Sequence, residues 1–287
     1  VAAGDEVSID GGASGTNGWY RSGVQTIRHA IETGGVYQVN LTDRVHCTLH
    51  GEVRDLYRAM ATTQGGGYNA LIEFEHVAVV SASPELFLQV DGDMVTTRPM
   101  KGTRRRHGRP DADARRAADL LASEKDRAEN VMIVDLLRND LSRVAVPGGV
   151  TVPELFRVER YETVWQMTST VQARLRPEVG LVELLQATFP CGSITGAPKV
   201  AAMRMIDDLE STPRGLYCGS IGVLAPALQG RGSSTWSVAI RTAVVDVTTR
   251  EVEFGAGGGI TYDSVPEDED DELESKTVVL GGALIVP

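Results

Sequence analysis

Apolar positions along the chain follow two different periods, and the switches between them divide it into short elements of both kinds. From Tyr20 onward, Val24, Ile27 and Ile31 recur with helical spacing, which predicts an amphipathic helix ended by Gly34 and Gly35. Val36 to Val45 reads as a strand, and a second helix over Val53 to Ala61 ends at Gly65, Gly66 and Gly67. Short extended runs follow at 70–74, 77–80, 86–90 and 94–97, then helices around 112–122 and 124–139. Strand-like segments at 163–173, 217–224, 235–247 and 250–256 are interspersed with helices near 181–187, 198–209 and 267–276. Residues 1–18, rich in Gly, Ala, Ser and Asp, read as a flexible lead-in to one domain over 19–287. Strands that neither alternate strictly with helices nor segregate from them predict α+β rather than a doubly wound parallel sheet.

Composition narrows the function. A chain of 287 residues can bury one large core or two modest ones. A hydrophobic fraction of 42% and a mean hydropathy of -0.11 suit a globular protein in water. No apolar run approaches the roughly 20 residues of a membrane span, and no charged-then-apolar leader is visible. Cys47, Cys191 and Cys218 stand far apart without a C-x-x-C pair, which argues against zinc and against a disulfide framework. A reducing cytoplasm is the expected setting. The net charge of -11 disfavours nucleic acid as a partner, and the basic cluster Arg104 to His107 is too short to reverse that.

Several groups of residues could carry chemistry. Lys101, in Arg98-Pro99-Met100-Lys101-Gly102-Thr103, sets an amine beside a tight glycine turn; it reads either as a nucleophile or as part of a solvated basic loop. Asp126 with Glu129, and Glu269 with Glu272, have the i, i+3 spacing that puts two carboxylates on one helix face. Two such faces would offer hard oxygen ligands for Mg²⁺, although an acidic run such as 267–272 is usually a solvated face or a frayed end. The first pair leads into Val131 to Leu137, apolar almost all round, so its helix is expected to be buried. Arg241 lies within an alternating stretch, sharing a strand face with Ala239 and Ala243; it has room to hold a carboxylate or to close an internal salt bridge. Gly255 to Gly259 is too short for a dinucleotide fingerprint and reads as a turn, or as backbone open to an anion.

The segment around Lys101, taken in order with Lys125–Asn130, Gly192–Lys199 and Gly255–Gly259, resembles the chorismate-utilising enzymes over about residues 20–280. The lysine at position 101 resembles the branch that aminates chorismate at C4. The resemblance implies two large, mostly antiparallel sheets packed as a sandwich with helices outside. It implies that Lys101 attacks C2 of chorismate while Glu85 protonates the departing 4-hydroxyl. Covalent attack needs a neutral amine, so Lys101 is expected to be shielded from water. Glu129 and Glu272 would bind Mg²⁺, with Asp126 and Glu269 in support. Arg241 would hold one substrate carboxylate; Gly257, Gly258 and Gly259, with Lys276 and Thr195, would receive the rest.

Gln38 stands where the isochorismate-forming branch has a water-activating lysine; an amide cannot be that base, which argues for ammonia as the nucleophile. The product would be 4-amino-4-deoxychorismate, toward p-aminobenzoate and folate, with ammonia from a separate glutamine amidotransferase subunit. The anthranilate-forming branch, which has alanine at the place of Lys101, is the alternative, and a non-catalytic chorismate-binding member is another. Family members usually carry a further N-terminal stretch, which holds a feedback site in the anthranilate-forming branch; this sequence shows no match to it, so feedback inhibition by tryptophan is not expected. The departures are Gln166 in place of a common active-site histidine, Cys191 in place of a glycine and Thr235 in place of an aspartate. The last two are expected not to touch the chemistry.

Overall fold

The computed structural model describes residues 8–10, 18–64, 67–162, 164–225 and 232–281. The chain begins β1 (Ser8–Asp10), α1 (Trp19–Glu32), β2 (Gln38–His50), α2 (Val53–Gln64), β3 (Tyr68–Glu73) and β4 (Val77–Ser83). It continues through β5 (Leu86–Asp91), β6 (Met94–Arg98), β7 (Met100–Arg105), α3 (Pro110–Ala122), α4 (Glu124–Ser142), β8 (Ala145–Arg160) and β9 (Val164–Leu175). After α5 (Leu181–Thr188) and a single 3₁₀ turn over Gly192–Ile194 come β10 (Gly196–Ala197), α6 (Lys199–Leu209), β11 (Ser220–Ala225) and β12 (Ser233–Val238). The chain closes with β13 (Thr242–Asp246), β14 (Glu251–Ile260) and α7 (Pro266–Gly281). This is the expected α+β chain with two antiparallel sheets. Its described contacts divide it into two compact units. Unit 1 is Val1–Pro84, Ile194–Gly219 and Ala239–Pro287; unit 2 is Glu85–Ser193 and Ser220–Val238.

Unit 1 is built on a sheet of order β1-β2-β14-β13-β4-β3, with β10 also paired to β2. Its core takes Tyr20, Val24 and Ile27 from α1, Val53, Leu56 and Met60 from α2, and Ala202 and Ile206 from α6. These pack with Leu41, Val80, Val245 and Phe254 of the strands. The spacing read from Tyr20 is thus the buried stripe of α1. Ser8–Asp10 pairs antiparallel with Thr48–His50, so this part of the expected lead-in is a strand. A short edge strand with one buried apolar residue, Ile9, carries too little pattern to announce itself. The rest of 1–17 lies outside the described residues.

Unit 2 is built on a sheet of order β11-β12-β5-β6-β9-β7, with β8 also paired to β9. Helix α4 lies against β8 and β9 and buries Ile133, Val134, Leu137 and Leu141. Only one face is buried, not the whole circumference expected from sequence: Asp135 is exposed and accepts a hydrogen bond from Arg138 at 2.8 Å. Strand β8 was not legible because it holds Pro147, Gly148, Gly149 and Pro153, residues that punctuate loops. It accommodates them as an edge strand with three register shifts against β9.

Two further differences bear on the candidate residues. The stretch 235–247 is two strands, not one, and Arg241 sits in the break with φ 50°. The face assignment for Ala239, Arg241 and Ala243 therefore fails. Second, Gly255–Gly259 is no turn but the middle of β14, paired with Arg44 to Asn40 of β2. Here glycine serves close approach. A Cβ on Gly255 would lie 2.3 Å from Cγ of the buried Tyr217 ring, and one on Gly257 2.4 Å from the Leu41 carbonyl oxygen. Gly255→Ala should therefore overpack unit 1 and lower its stability by about 1–3 kcal/mol. Urea unfolding checks this; an unchanged midpoint would mean the Tyr217 ring has room to yield.

Candidate active site

The residues singled out by sequence fall in both units, and each unit assembles its own group. In unit 2, Lys101 and Gly102 form a bulge: Met100 pairs with Thr168 and Thr103 with Gln166, leaving one residue extra on β7. Lys101 is thus held on a strand and not on a free loop. Gly102 has φ 84°, and an added Cβ would lie 2.9 Å from Oδ1 of Asp126. Gln166 grips the bulge from β9: its Nε2 donates to the Gly102 carbonyl at 2.8 Å, and its Oε1 accepts from Thr103 Oγ1 at 2.8 Å. The Asp126 carboxylate accepts from Arg104 Nη2 at 2.6 Å, and its backbone N–H donates to Ser123 Oγ at 3.3 Å. That pair neutralises one of the basic residues after Lys101. Lys101 is half-buried, less enclosed than expected, and its Nζ donates to the Ser193 carbonyl at 3.3 Å.

Glu85 opens β5 from the turn after Pro84 and is 3% exposed. Nothing in the local pattern around Pro84 announces burial, yet this carboxyl is enclosed. Burial pushes its pKa up to about 7, against the downward pull of a hydrogen bond from the Ser193 side chain and the positive charge of Lys101. Near neutrality such a group can still hold a proton to give. Ser193, which sequence reasoning passed over, therefore touches both residues: its hydroxyl meets Glu85 and its carbonyl meets Lys101. The available signal was its place in the run Gly192–Lys199, directly after Gly192.

In unit 1, β14 and the first turns of α7 build a second group. A Cβ on Gly258 would lie 3.0 Å from Oε2 of Glu269 and 3.6 Å from the Tyr20 hydroxyl. Lys276 Nζ donates to the Gly257 carbonyl at 2.6 Å and pairs with Glu272 at 2.7 Å. Glu269 is buried and accepts from Ser264 Oγ at 2.6 Å; Asp270, also buried, accepts from Arg21 at 2.6 Å. The acidic run is thus neither a frayed end nor wholly solvated. Burial, then the nearby charges of Glu269 and Glu272, raise the pKa of the Tyr20 phenol. Both carboxylates therefore bear on one point, as their i, i+3 spacing predicts. Tyr20 was read only as a helix start, although a buried tyrosine needs a partner for its hydroxyl.

Arg241 is the most informative residue of this unit. It is half-buried, in a left-handed conformation that non-glycine residues seldom adopt. Its guanidinium makes no hydrogen bond or ion pair with the described residues. Burial alone lowers its pKa. Among the described residues it closes no internal salt bridge, the alternative allowed by sequence. Gln38 is 1% exposed, and neither atom of its amide has a partner among the described residues. Thr195 is buried and gives its carbonyl to Asn40 N–H at 2.8 Å.

Among the described residues no three His, Cys, Asp or Glu side chains converge as a ready-made metal cage. Mg²⁺ does not require one, since it takes one or two carboxylates together with waters and substrate oxygens. Glu129, half-buried on α4, and Glu272 on α7 are oxygen donors of the right kind. Asp126 and Glu269 are already engaged by Arg104 and Ser264.

Comparison with known proteins places these observations. The family model described as chorismate binding enzyme matches residues 11–280. The chain is 44% identical over 246 residues to aminodeoxychorismate synthase component 1 of Salmonella typhimurium, covering 86% of this chain and 53% of that protein. It is 42% identical over 261 residues to an anthranilate synthase component 1 of Haloarcula marismortui, covering 91% and 52%. The chain thus spans about half the length of the curated relatives it matches. Among solved structures, anthranilate synthase component I from Streptococcus pneumoniae superposes with a TM-score of 0.86 at 33% identity, over 97% of this chain and 61% of that one. The menaquinone-specific isochorismate synthase of Escherichia coli shares the fold, with a TM-score of 0.79 at 20% identity over 98% and 63%. No helix among the described residues is long and apolar enough to cross a membrane.

The enclosure of Glu85 has a consequence for stability. Its carboxyl titrates near 4.5 in the unfolded chain and near 7 in the folded one. Below the lower value both states hold the proton and the contribution is fully present. As pH rises through the upper value the folded state must ionise a buried group, and about 3 kcal/mol is lost. Glu85→Gln should remove that loss. Urea unfolding at about pH 5 and about pH 8 should then show a smaller fall for the variant; equal falls would mean Glu85 is ionised throughout.

Proposed function

The chain belongs to the chorismate-binding enzymes, and on that premise we propose that it aminates chorismate at C4 with ammonia, giving 4-amino-4-deoxychorismate toward p-aminobenzoate and folate. The observation that carries the reading is the pairing, within unit 2, of the Lys101 amine with an enclosed acid whose pKa is about 7. An amine nucleophile and a group still able to protonate a leaving hydroxyl are what substitution at an allylic alcohol requires.

In this reading the Lys101 nitrogen bonds to C2 as the C4–O bond breaks, and the ring double-bond electrons shift between the two carbons. Glu85 gives its proton to the hydroxyl, which leaves as water. Ammonia then bonds to C4, the electrons return, and the C2–N bond breaks so that lysine recovers its electron pair. The surplus proton on the new amine passes to the Glu85 carboxylate, restoring the acid. Arg241, a cation without a counter-charge among the described residues, holds one substrate carboxylate, and its planar fork suits that task. Gly257, Gly258 and Gly259, with Lys276 and Thr195, receive the remainder of the substrate. Mg²⁺, when bound through Glu129 and Glu272 with Asp126 and Glu269 beside them, would fix and neutralise a substrate carboxylate. Gln38, a neutral amide, cannot deprotonate water, which favours ammonia. A separate glutamine amidotransferase would supply it in the cytoplasm.

A second reading, formation of anthranilate, is favoured by relatives of that name at similar identity. Lys101 argues against it, because the anthranilate-forming branch resembles this chain in every motif but that residue. Incubation of the purified chain with chorismate, Mg²⁺ and an ammonium salt, with products identified by mass, separates the two. The wild type should give 4-amino-4-deoxychorismate, and Lys101→Ala should abolish it with the fold retained by circular dichroism. Anthranilate from the wild type would establish the second reading; undiminished C4 amination by Lys101→Ala would remove the nucleophile.

A further inference from the structure

Three side chains in unit 2 form a string that ends on the acid. The Ser193 hydroxyl meets the Glu85 carboxyl, and the Cys191 thiol lies 3.2 Å from Ser193 Oγ. Cys191 and Ser193 are both buried, at 3% and 5% exposure, so water does not compete for these bonds. The same serine accepts a hydrogen bond from Lys101 Nζ at its carbonyl, 3.3 Å away. Its backbone is fixed in the 3₁₀ turn, where the preceding Gly192 sits so close to α4 that a Cβ would lie 2.5 Å from Leu136 Cδ2.

We propose that Ser193 is a positioning residue that holds the proposed acid and nucleophile in register, its hydroxyl on Glu85 and its carbonyl on Lys101, with the Cys191 thiol setting the direction of that hydroxyl. The inference rests on the roles given above to Glu85 and Lys101. Ser193 has one hydroxyl hydrogen. When Glu85 is ionised, that hydrogen points at the carboxylate, and the thiol hydrogen points at Ser193 Oγ. When Glu85 is protonated, its own hydrogen points at Ser193 Oγ and the serine hydrogen turns to the Cys191 sulfur. Each state is satisfied, and the string reverses as the acid gives up its proton and recovers it. The cysteine, expected from sequence to stand clear of the chemistry, is one hydrogen bond removed from it. Lys101 is the charged group that acts on Glu85 from β7, and Ser193 the polar one from the 3₁₀ turn.

Carbon-13 NMR of the Glu85 carboxyl, with kcat measured across pH, tests this in the full chain. A hydrogen bond to an ionised group is strong enough that Ser193→Ala should raise the Glu85 titration by roughly one to two pH units. The high-pH limb of kcat should move with it, and kcat should fall about tenfold or more as the acid loses its alignment. Ser193→Thr keeps the hydroxyl and should restore both. Cys191→Ala removes only the far end of the string and should give a smaller upward shift. That variant carries the test if Ser193→Ala fails to fold. Wild-type titration and kcat in Ser193→Ala, or in Cys191→Ala should the first not fold, would overturn the proposal. The underlying assignment is checked separately: amination lost in Glu85→Gln but intact in Ser193→Ala removes the positioning role alone, whereas full activity in Glu85→Gln removes the acid itself.

Discussion

At Gly102 an added Cβ would lie 2.9 Å from the Asp126 carboxylate, and this approach of β7 to α4 fixes where Lys101 emerges. A residue with a side chain would push the bulge away from the helix and carry the amine with it. Around that point the other contacts follow. Gln166 ties the Gly102 carbonyl to β9, Arg104 turns back to Asp126, and Lys101 reaches the Ser193 carbonyl. Ser193 in turn meets Glu85. Close backbone approach, permitted only by glycine, is thus what brings a basic side chain to an enclosed acid. The same device recurs in unit 1, where Gly257 and Gly258 let β14 lie against Leu41, Glu269 and the Tyr20 hydroxyl.

The electrostatics of the two groups differ in kind. In unit 2 burial acts on an acid, raising the pKa of Glu85 until it can keep a proton near neutrality. In unit 1 burial acts on a base without a counter-charge among the described residues, Arg241, and lowers its pKa. A buried cation left without a partner costs stability, and a strained backbone conformation adds to the cost. Such arrangements persist where a ligand supplies the missing anion. The neighbouring charges of α7 are balanced instead: Lys276 on Glu272, Arg21 on Asp270.

Much of this was legible in the sequence where one face of an element is buried. The stripe Val24, Ile27 and Ile31 located α1, and the extended runs located β3 to β6, because periodicity reports burial directly. It failed where backbone geometry decided the outcome. Arg241 breaks an alternating run by adopting φ 50°, which no pattern of apolar residues announces. Gly255–Gly259 looked like a turn, although glycine there makes space for Tyr217 and Leu41 across a continuous strand. Among the candidate residues, chemistry was readable as residue type but not as environment. Glu85 entered through the resemblance alone, and Cys191 as an inert replacement; only the fold encloses the first and places the second against Ser193.

The central claim is that Lys101 acts by forming a bond to the substrate. Rapid acid quench of the enzyme mixed with chorismate and Mg²⁺ in the absence of ammonia, followed by peptide mapping by mass spectrometry, tests it directly. The account predicts a peptide containing Lys101 that carries chorismate less one water, and its disappearance when ammonium is added before the quench. Turnover to 4-amino-4-deoxychorismate with no such adduct at any quench time, or an adduct on a different lysine, would contradict it.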